Sequence, residues 1–299
     1  MDDVPPKNSQ ANPRIPYRLA SYQPPMNGPK GKRLIVNLVV NIEHWPFDQE
    51  MPRKLLTAPH GREQVPDVPN FCWADYGMRA GMARLLTLFA SREIPVSASI
   101  NATAIDTYRD CAMEIRDAGW EFIGHGMHQQ SLGAAVSEGD VIRTALAKLS
   151  DFSGQPVRGW LSPGLRETAA TPDILAAEGV DYVCDWSVDD VPHWMETDPK
   201  KLLAMPYTLE LNDSVVHAVE KHRSDEMLRR LEATLECFDA PTEPEGVKVL
   251  GIGLHPHLIG VPHRFPNLIR MLDLLQSRDD VVFMTGAEIH DWFQMEAAK

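Results

Sequence analysis

Cysteine is scarce in this sequence, and the four that occur, Cys72, Cys111, Cys184 and Cys237, lie far apart. That spacing excludes a disulfide scaffold and a paired-thiolate metal site. Only Cys184, at the end of an apolar run before Asp185, keeps a cysteine-nucleophile amidase open, against the commoner role of a buried apolar thiol. Long hydrophobic runs are absent too. Nothing approaches the roughly 20 apolar residues of a membrane span, and the first 33 residues lack the apolar centre of a signal peptide. The expectation is a chain that stays in the cytoplasm, away from membranes. Positive charge is also in short supply: 29 Lys and Arg stand against 42 Asp and Glu, for a formal charge of −13. Such a balance repels nucleic acid and anionic lipid. No internal repeat or low-complexity tract is present.

What is present is enough apolar material, 43% of 299 residues, for one sizeable core. Residues 1–32 are rich in Pro, Asn, Ser and Gly and read as an extended N-terminal arm. Residues 33–299 read as a single catalytic domain. Here short β-rich runs alternate with amphipathic segments, the α/β signature of a largely parallel sheet. Strands are predicted at 33–41, 95–101, 120–124, 157–162, 180–185, 204–210, 247–254 and 280–284. Helices are predicted at 76–92, 104–118, 136–152, 171–178, 222–238 and 262–277. Met82, Leu85, Leu86 and Phe89 share one helical face, as do Leu228, Leu231 and Leu235. Between about Glu43 and Asn70 a loop with five prolines lacks periodicity, and loops that long usually serve as lids or interfaces.

In α/β barrels the chemistry gathers beyond the C-terminal ends of the strands. Five polar clusters lie there. The first strand ends in Asn41-Ile42-Glu43-His44-Trp45, and alternation puts Asn41 and Glu43 on one face; ordinary strand-end polarity is the bland alternative. The third runs into His125-Gly126-Met127-His128-Gln129-Gln130, where imidazole nitrogen and the Glu43 carboxylate could hold a metal with an open position for water. After RGWLS comes Pro163-Gly164-Leu165-Arg166, whose backbone N–H groups could steady an oxyanion. Arg166 could grip a substrate carbonyl or carboxylate, or simply form a surface ion pair. The run Asp185-Trp186-Ser187-Val188-Asp189-Asp190-Val191-Pro192-His193-Trp194 reads as a pocket wall for a flat substrate, with helix capping as the alternative for Asp189 and Asp190. The strand VLGIGL delivers His255-Pro256-His257, and His255 is the general-acid candidate because imidazole titrates near neutrality. His257 reads as a substrate-binding residue.

The segments VVNIEHW, CWADYGMRAGMARLL, GHGMHQQ, GWLSPGLRET, DYVCDWSVDDVPHW, GLHPHLIGVPHR and TGAEIHDWF follow in this order from about Arg33 to Phe293. Together they resemble the polysaccharide-deacetylase superfamily, and within it the branch of cofactor-independent allantoinases and cyclic imide hydrolases. The resemblance implies a distorted seven-stranded (β/α) barrel, a site at its C-terminal mouth and a homotetramer. Metal-dependent deacetylases of the family carry an Asp pair in the first motif, one a base and one a ligand. Asn41 stands here in the base position and Glu43 in the ligand position. A neutral amide cannot take a proton from water. The second motif's histidines lie four apart, yet Gln129 follows His125 at that distance. The implied ligand set is Glu43, His125 and Gln129, with His128 as the alternative to Gln129. The implied cofactor is a divalent metal, Zn²⁺, as in the imide hydrolases, or none, as in the allantoinases.

The leading expectation is thus hydrolysis of a carbon–nitrogen bond in a small cyclic amide such as an imide, hydantoin or ureide. Glu43 and His125 would position water, Asn41 would assist, and His255 would protonate the departing nitrogen. Trp45, Trp186 and Trp194 would cover the ring, with Asp189 and Asp190 beside them. N-deacetylation of acetylated sugars or peptidoglycan fragments is the second reading, and an inactive ligand-binding barrel the third.

Overall fold

The computed structural model describes residues 11–59 and 61–298. Residues 1–10 of the expected arm, His60 and Lys299 lie outside the described residues. Nine strands among the described residues join in one sheet: β1 (Leu34–Ile42), β2 (Ser97–Ile100), β3 (Glu121–Gly124), β4 (Gly159–Trp160), β5 (Tyr182–Val183), β6 (His193–Met195), β7 (Leu202–Ala204), β8 (Lys248–Leu254) and β9 (Val281–Phe283). The order is β6-β7-β5-β4-β3-β2-β1-β8, with β9 alongside the start of β1. Every pairing is parallel except that of β6 with β7. Eight strands, all but β6, are therefore parallel and make a curled wall, one more than the seven expected because β9 lies along the start of β1. Residues 206–212 cover the gap between β7 and β8: the Gly253 N–H donates to Leu211 O (3.0 Å), and the Thr208 hydroxyl donates to Gly251 O (3.2 Å). This is the expected distorted barrel.

β1 shows why it forms. All nine of its residues are buried, as a strand covered on both faces requires. Leu34, Val36, Leu38, Val40 and Ile42 pack outward against the helices, whereas Ile35 and Val39 belong to the inner core with Tyr182, Cys184 and Tyr207. The two-residue period then aims Asn37, Asn41 and Glu43 inward in one column, ending at the mouth. The helices are α1 (Val68–Tyr76), α2 (Met82–Ser91), α3 (Ala104–Thr107), α4 (Arg109–Asp117), α5 (Glu138–Ser153), α6 (Thr171–Ala177), α7 (Glu226–Phe238), α8 (Phe265–Gln276) and α9 (Gly286–Glu296). Ile289, Trp292 and Phe293 of α9 join the inner core.

Four departures from the sequence reading have plain causes. The segment 204–210 is strand only to Ala204, because Pro206 lacks a ladder donor and the chain then crosses over β8. The 43–70 loop ends early: Pro69 occupies the first turn of α1, where a missing N–H is harmless, and Asp67 caps Asn70 (3.4 Å). α9 carries a complete capping box, Thr285 with Glu288, a signal present in TGAE. β6 is a three-residue edge strand whose sequence, HWM, carries no alternation. Along the arm, Arg14 pairs with Asp173 (2.7 Å), and Asn27 O accepts from Trp292 Nε1 (3.1 Å). No described helix is long and apolar enough to cross a membrane.

Candidate active site

A cavity of about 480 Å³ opens at the mouth of the barrel. Its floor is polar: Asn41 and Glu43 from β1, His125 from the end of β3, and His255 and His257 from the end of β8. Trp45, Pro52 and Arg53 of the 43–67 loop form one wall, and Gly164, Leu165 and Arg166 form the wall beyond β4. Between α1 and α2 the chain forms one wide turn, Gly77–Gly81, where a side chain at Gly77 would meet the His257 backbone at 2.3 Å. Glycine there lets the helix pair press the His255–His257 segment into place.

Glu43 is the centre of the floor. Its side chain is 9% exposed. One oxygen accepts the Trp45 indole N–H (2.7 Å), and the other lies 3.6 Å from His255 Nε2 and 3.8 Å from His125 Nε2. Burial alone would raise this carboxyl, but the nearby His125 and the charge of His255 overcome it and hold the group at about 2. Glu43 is therefore ionised at neutral pH. Behind His255 stands Asp213, fully buried, which accepts its ring Nδ1–H (2.6 Å), its backbone N–H (2.7 Å) and that of Ile259 (3.1 Å). Burial works against a charged ring, yet Asp213 and Glu43 outweigh it and raise the His255 pKa. His257 goes the other way: burial pushes it down to about 4, so it is neutral. His125 donates Nδ1–H to Leu161 O (2.5 Å), and its Nε2 is buried without a hydrogen-bond partner.

Two residues that the sequence reading missed support this floor, Tyr207 lining it and Asp213 beneath it. Asp213 follows a short irregular segment, LELN, and carries no pattern of its own; only its position beside β8 gives it meaning. Tyr207 is 3% exposed, and its oxygen receives the Asn41 Nδ2 group (3.0 Å) and the Asn212 Nδ2 group (3.1 Å). A side chain at Gly253 would strike the Tyr207 oxygen at 2.6 Å, so GIG in β8 is what admits the tyrosine. Burial pushes the phenol far above its usual value. Its proton is kept, and with two donors already aimed at the oxygen that proton is free to point into the cavity. Asn41 spends its other amide hydrogen on Leu254 O (3.2 Å).

Several expected wall residues stand elsewhere, and the short β5 explains why. After Asp185 the chain leaves the mouth and runs toward the start of β8, where Asp190 O accepts from Val249 N–H (2.7 Å), before entering β6. Asp189 accepts from His193 (2.9 Å) and from Gln23 of the arm (2.8 Å), and the Lys248 ammonium lies 3.9 Å from Asp190. Trp194 packs against His290 and Phe293, with ring centroids 5.9 and 5.7 Å away. Trp186 donates its N–H to Glu167 (2.5 Å). None of these four lines the cavity. The backbone donors expected at Ser162 to Leu165 are mostly spent: Ser162 N–H serves Asp185 (3.0 and 3.1 Å) and Leu165 N–H serves Ser162 O (2.8 Å). Cys184 is buried, and burial lifts its thiol well above the usual value, which removes it as a nucleophile.

The donor set does not fit a zinc ion. Glu43, His125 and Gln129 offer one carboxylate, one imidazole and an amide oxygen, and an amide is a weak ligand for this metal. His255 points at the same Glu43 oxygen, but the imidazolium that Asp213 favours has no lone pair to give. His128 Nε2 is buried and unpartnered, yet His128 does not line the cavity. Among the described residues no three His, Cys, Asp or Glu side chains are grouped to hold an ion.

This barrel and its mouth place the chain among known proteins. No family model matches the sequence. A Schizosaccharomyces pombe protein bearing the name "Putative polysaccharide deacetylase" is 26% identical over 87% of this chain and 90% of its own length. The crystal structure of Puue allantoinase superposes with a TM-score of 0.80 at 25% identity, covering 92% of this chain and 95% of the other. A Pseudomonas aeruginosa structure described as a "probable Polysaccharide deacetylase" gives a TM-score of 0.79 at 26% identity over 92% and 96%. By sequence and by structure, this chain is thus similar to proteins named as polysaccharide deacetylases and to an allantoinase. The allantoinase neighbour agrees with the allantoinase-like branch that Asn41 and Glu43 suggested.

Proposed function

We propose that this chain is a hydrolase of carbon–nitrogen bonds outside peptides, and that its substrate is a small cyclic amide. The line Asp213–His255–Glu43 across a confined cavity is the observation that supports it most. A water that donates to His125 Nε2 and to Glu43 turns its lone pair toward the cavity, where it attacks the ring carbonyl. Its proton passes to Glu43. The Tyr207 hydroxyl donates to the oxyanion as it forms, in a pocket where buried donors act strongly. His255 gives its Nε2 proton to the departing nitrogen, and the C–N bond breaks. That loss removes the positive charge that keeps Glu43 acidic. The proton on Glu43 then returns to His255 across 3.6 Å, restoring the starting state. Asn41 serves here by orienting Tyr207 rather than by taking a proton.

The cavity size favours a ring over a polymer: 480 Å³ walled by Trp45, Pro52 and Arg53 suits a molecule of one or two rings. N-deacetylation of acetylated sugars is the second reading, supported by the names of the S. pombe and P. aeruginosa relatives. A homo-oligomer, tetrameric by the resemblance, belongs to the same proposal and is supported by the exposed Leu55, Leu56, Val65 and Val68. The test is a panel of imides, hydantoins and allantoin alongside chitooligosaccharides. Ring opening that disappears in His255→Ala is the expected result. Acetate release from the sugars with no ring opening would transfer the assignment to the second reading.

A further inference from the structure

Two guanidinium groups face the cavity from different walls, Arg53 from the 43–67 loop and Arg166 from the turn after β4. Neither side chain makes a hydrogen bond or ion pair with any described residue. Arg53 is half-buried and Arg166 is exposed at the rim of the cavity. Where an acid is within reach, arginines elsewhere take it: Arg158 pairs with Asp181 (2.7 Å) and Asp291 (2.6 Å), and Arg278 with Asp239 (2.7 Å) and Asp280 (2.9 Å). The acids of the cavity are already committed. Glu43 faces the two histidines, and Asp185 holds the Ser162 N–H with both oxygens. Arg53 is only half-buried, but it lies close enough to His255 and His257 for its charge to act on both. Leaving the partly desolvated Arg53 guanidinium without an anion costs free energy that a bound anion would recover, and the exposed Arg166 adds a second positive group at the same rim.

We infer that the substrate of this cavity carries a carboxylate, gripped by Arg53 and Arg166 while the amide is held over Glu43 and His255. The inference rests on the hydrolase reading above and narrows its substrate class to ring amides with an acidic arm. A carboxylate is planar and presents two oxygens, which matches the fork of each guanidinium. Arg53 comes from the loop that closes one wall, so binding of the acid also draws that wall over the ring and keeps bulk water away.

The test compares hydantoin with hydantoinacetic acid, and succinimide with carboxymethylsuccinimide, in wild type, Arg53→Gln, Arg53→Lys and Arg166→Gln. The expected result is a kcat/KM for each acid at least about tenfold above that of its neutral parent, the scale of one charge-assisted contact. Each Gln variant should cut that ratio about tenfold, mostly through KM, and Arg53→Lys should restore part of it. Melting temperatures confirm that the variants are folded. Equal turnover of acid and parent, or variants that slow both alike, would overturn the inference and leave the hydrolase reading standing. If no ring amide is opened, the hydrolase reading falls instead, and calorimetric titration with the two acids decides the inference. Binding that Arg53→Gln abolishes supports a carboxylate site, and no binding by wild type overturns it.

Discussion

Two carboxylates of the same barrel, Glu43 at its mouth and Glu121 at its foot, show how surroundings divide chemistry from structure. Glu121 begins β3 and accepts four hydrogen bonds: from Ser97 (2.6 Å), Tyr182 (2.6 Å) and the first two N–H groups of α9, at Gly286 (2.8 Å) and Ala287 (2.9 Å). All four donors are neutral. Burial pushes its carboxyl up, and the hydrogen bonds offset this only in part. Glu43 accepts a single close hydrogen bond, yet it lies low, at about 2, because imidazoles rather than hydroxyls surround it. Counter-charge, more than the number of hydrogen bonds, sets the ionisation of a buried acid. The neighbours differ in a second way: around Glu121 nearly every donor is matched, whereas around Glu43 the His125 Nε2 and the Tyr207 proton are left unused. Unused polar atoms beside a charged group are the mark of a site that awaits a substrate.

Exchanging each acid for its amide should separate the two roles, and this carries the largest effects. Glu43→Gln is expected to lower kcat about a thousandfold, as loss of a proton-accepting group does. Glu121→Gln puts an NH₂ group against donors and should cost about 2 to 3 kcal/mol of stability, with kcat within a factor of about two at temperatures where the protein is folded. Denaturant titration and turnover on the same samples measure both. A Glu43→Gln enzyme with ordinary turnover would end the contrast.

Tyr207→Phe sharpens the contrast within the mouth itself, with the next largest effect. Removing one oxyanion donor should lower kcat about a hundredfold and move KM by no more than about twofold. If kcat is unchanged, the oxyanion is held elsewhere, and Asn41 and Asn212 orient Tyr207 for packing alone.

The barrel was legible because strand burial and alternation are written into local sequence. LIVNLVVN shows both, and its odd positions correctly placed Asn41 and Glu43 on the inner face. Histidines at the ends of apolar strands also stood out, and His125, His255 and His257 do line the cavity. Trp186, Asp189, Asp190 and Trp194 misled because composition reveals a cluster of functional residue types and not the direction of the chain. With only two residues in β5, the segment turns down the barrel wall before the aromatic run begins. Asp213 and Tyr207 were illegible for the opposite reason. They sit on the irregular 206–212 crossing and its end, where no periodicity exists and the partner residues lie 42 and 166 positions away.

The pH dependence is the finest test, because it reads Glu43 and His255 together. Activity needs Glu43 ionised and His255 protonated. The acid limb of kcat/KM should thus follow the depressed carboxyl and extend well below the ordinary value of about 4.5, while the alkaline limb follows a histidine raised above about 6.5. Stability follows the same signs. His255 contributes fully below the ordinary imidazole value, and that contribution is lost as pH rises through the raised one. Glu43 contributes above its ordinary value and loses that contribution as pH falls toward about 2. Asp213→Asn keeps the shape of the partner and removes its charge. The alkaline limb should then move to lower pH while the acid limb stays, since Asp213 touches His255 and not Glu43. An alkaline limb that does not move would mean that a group other than His255 supplies the proton.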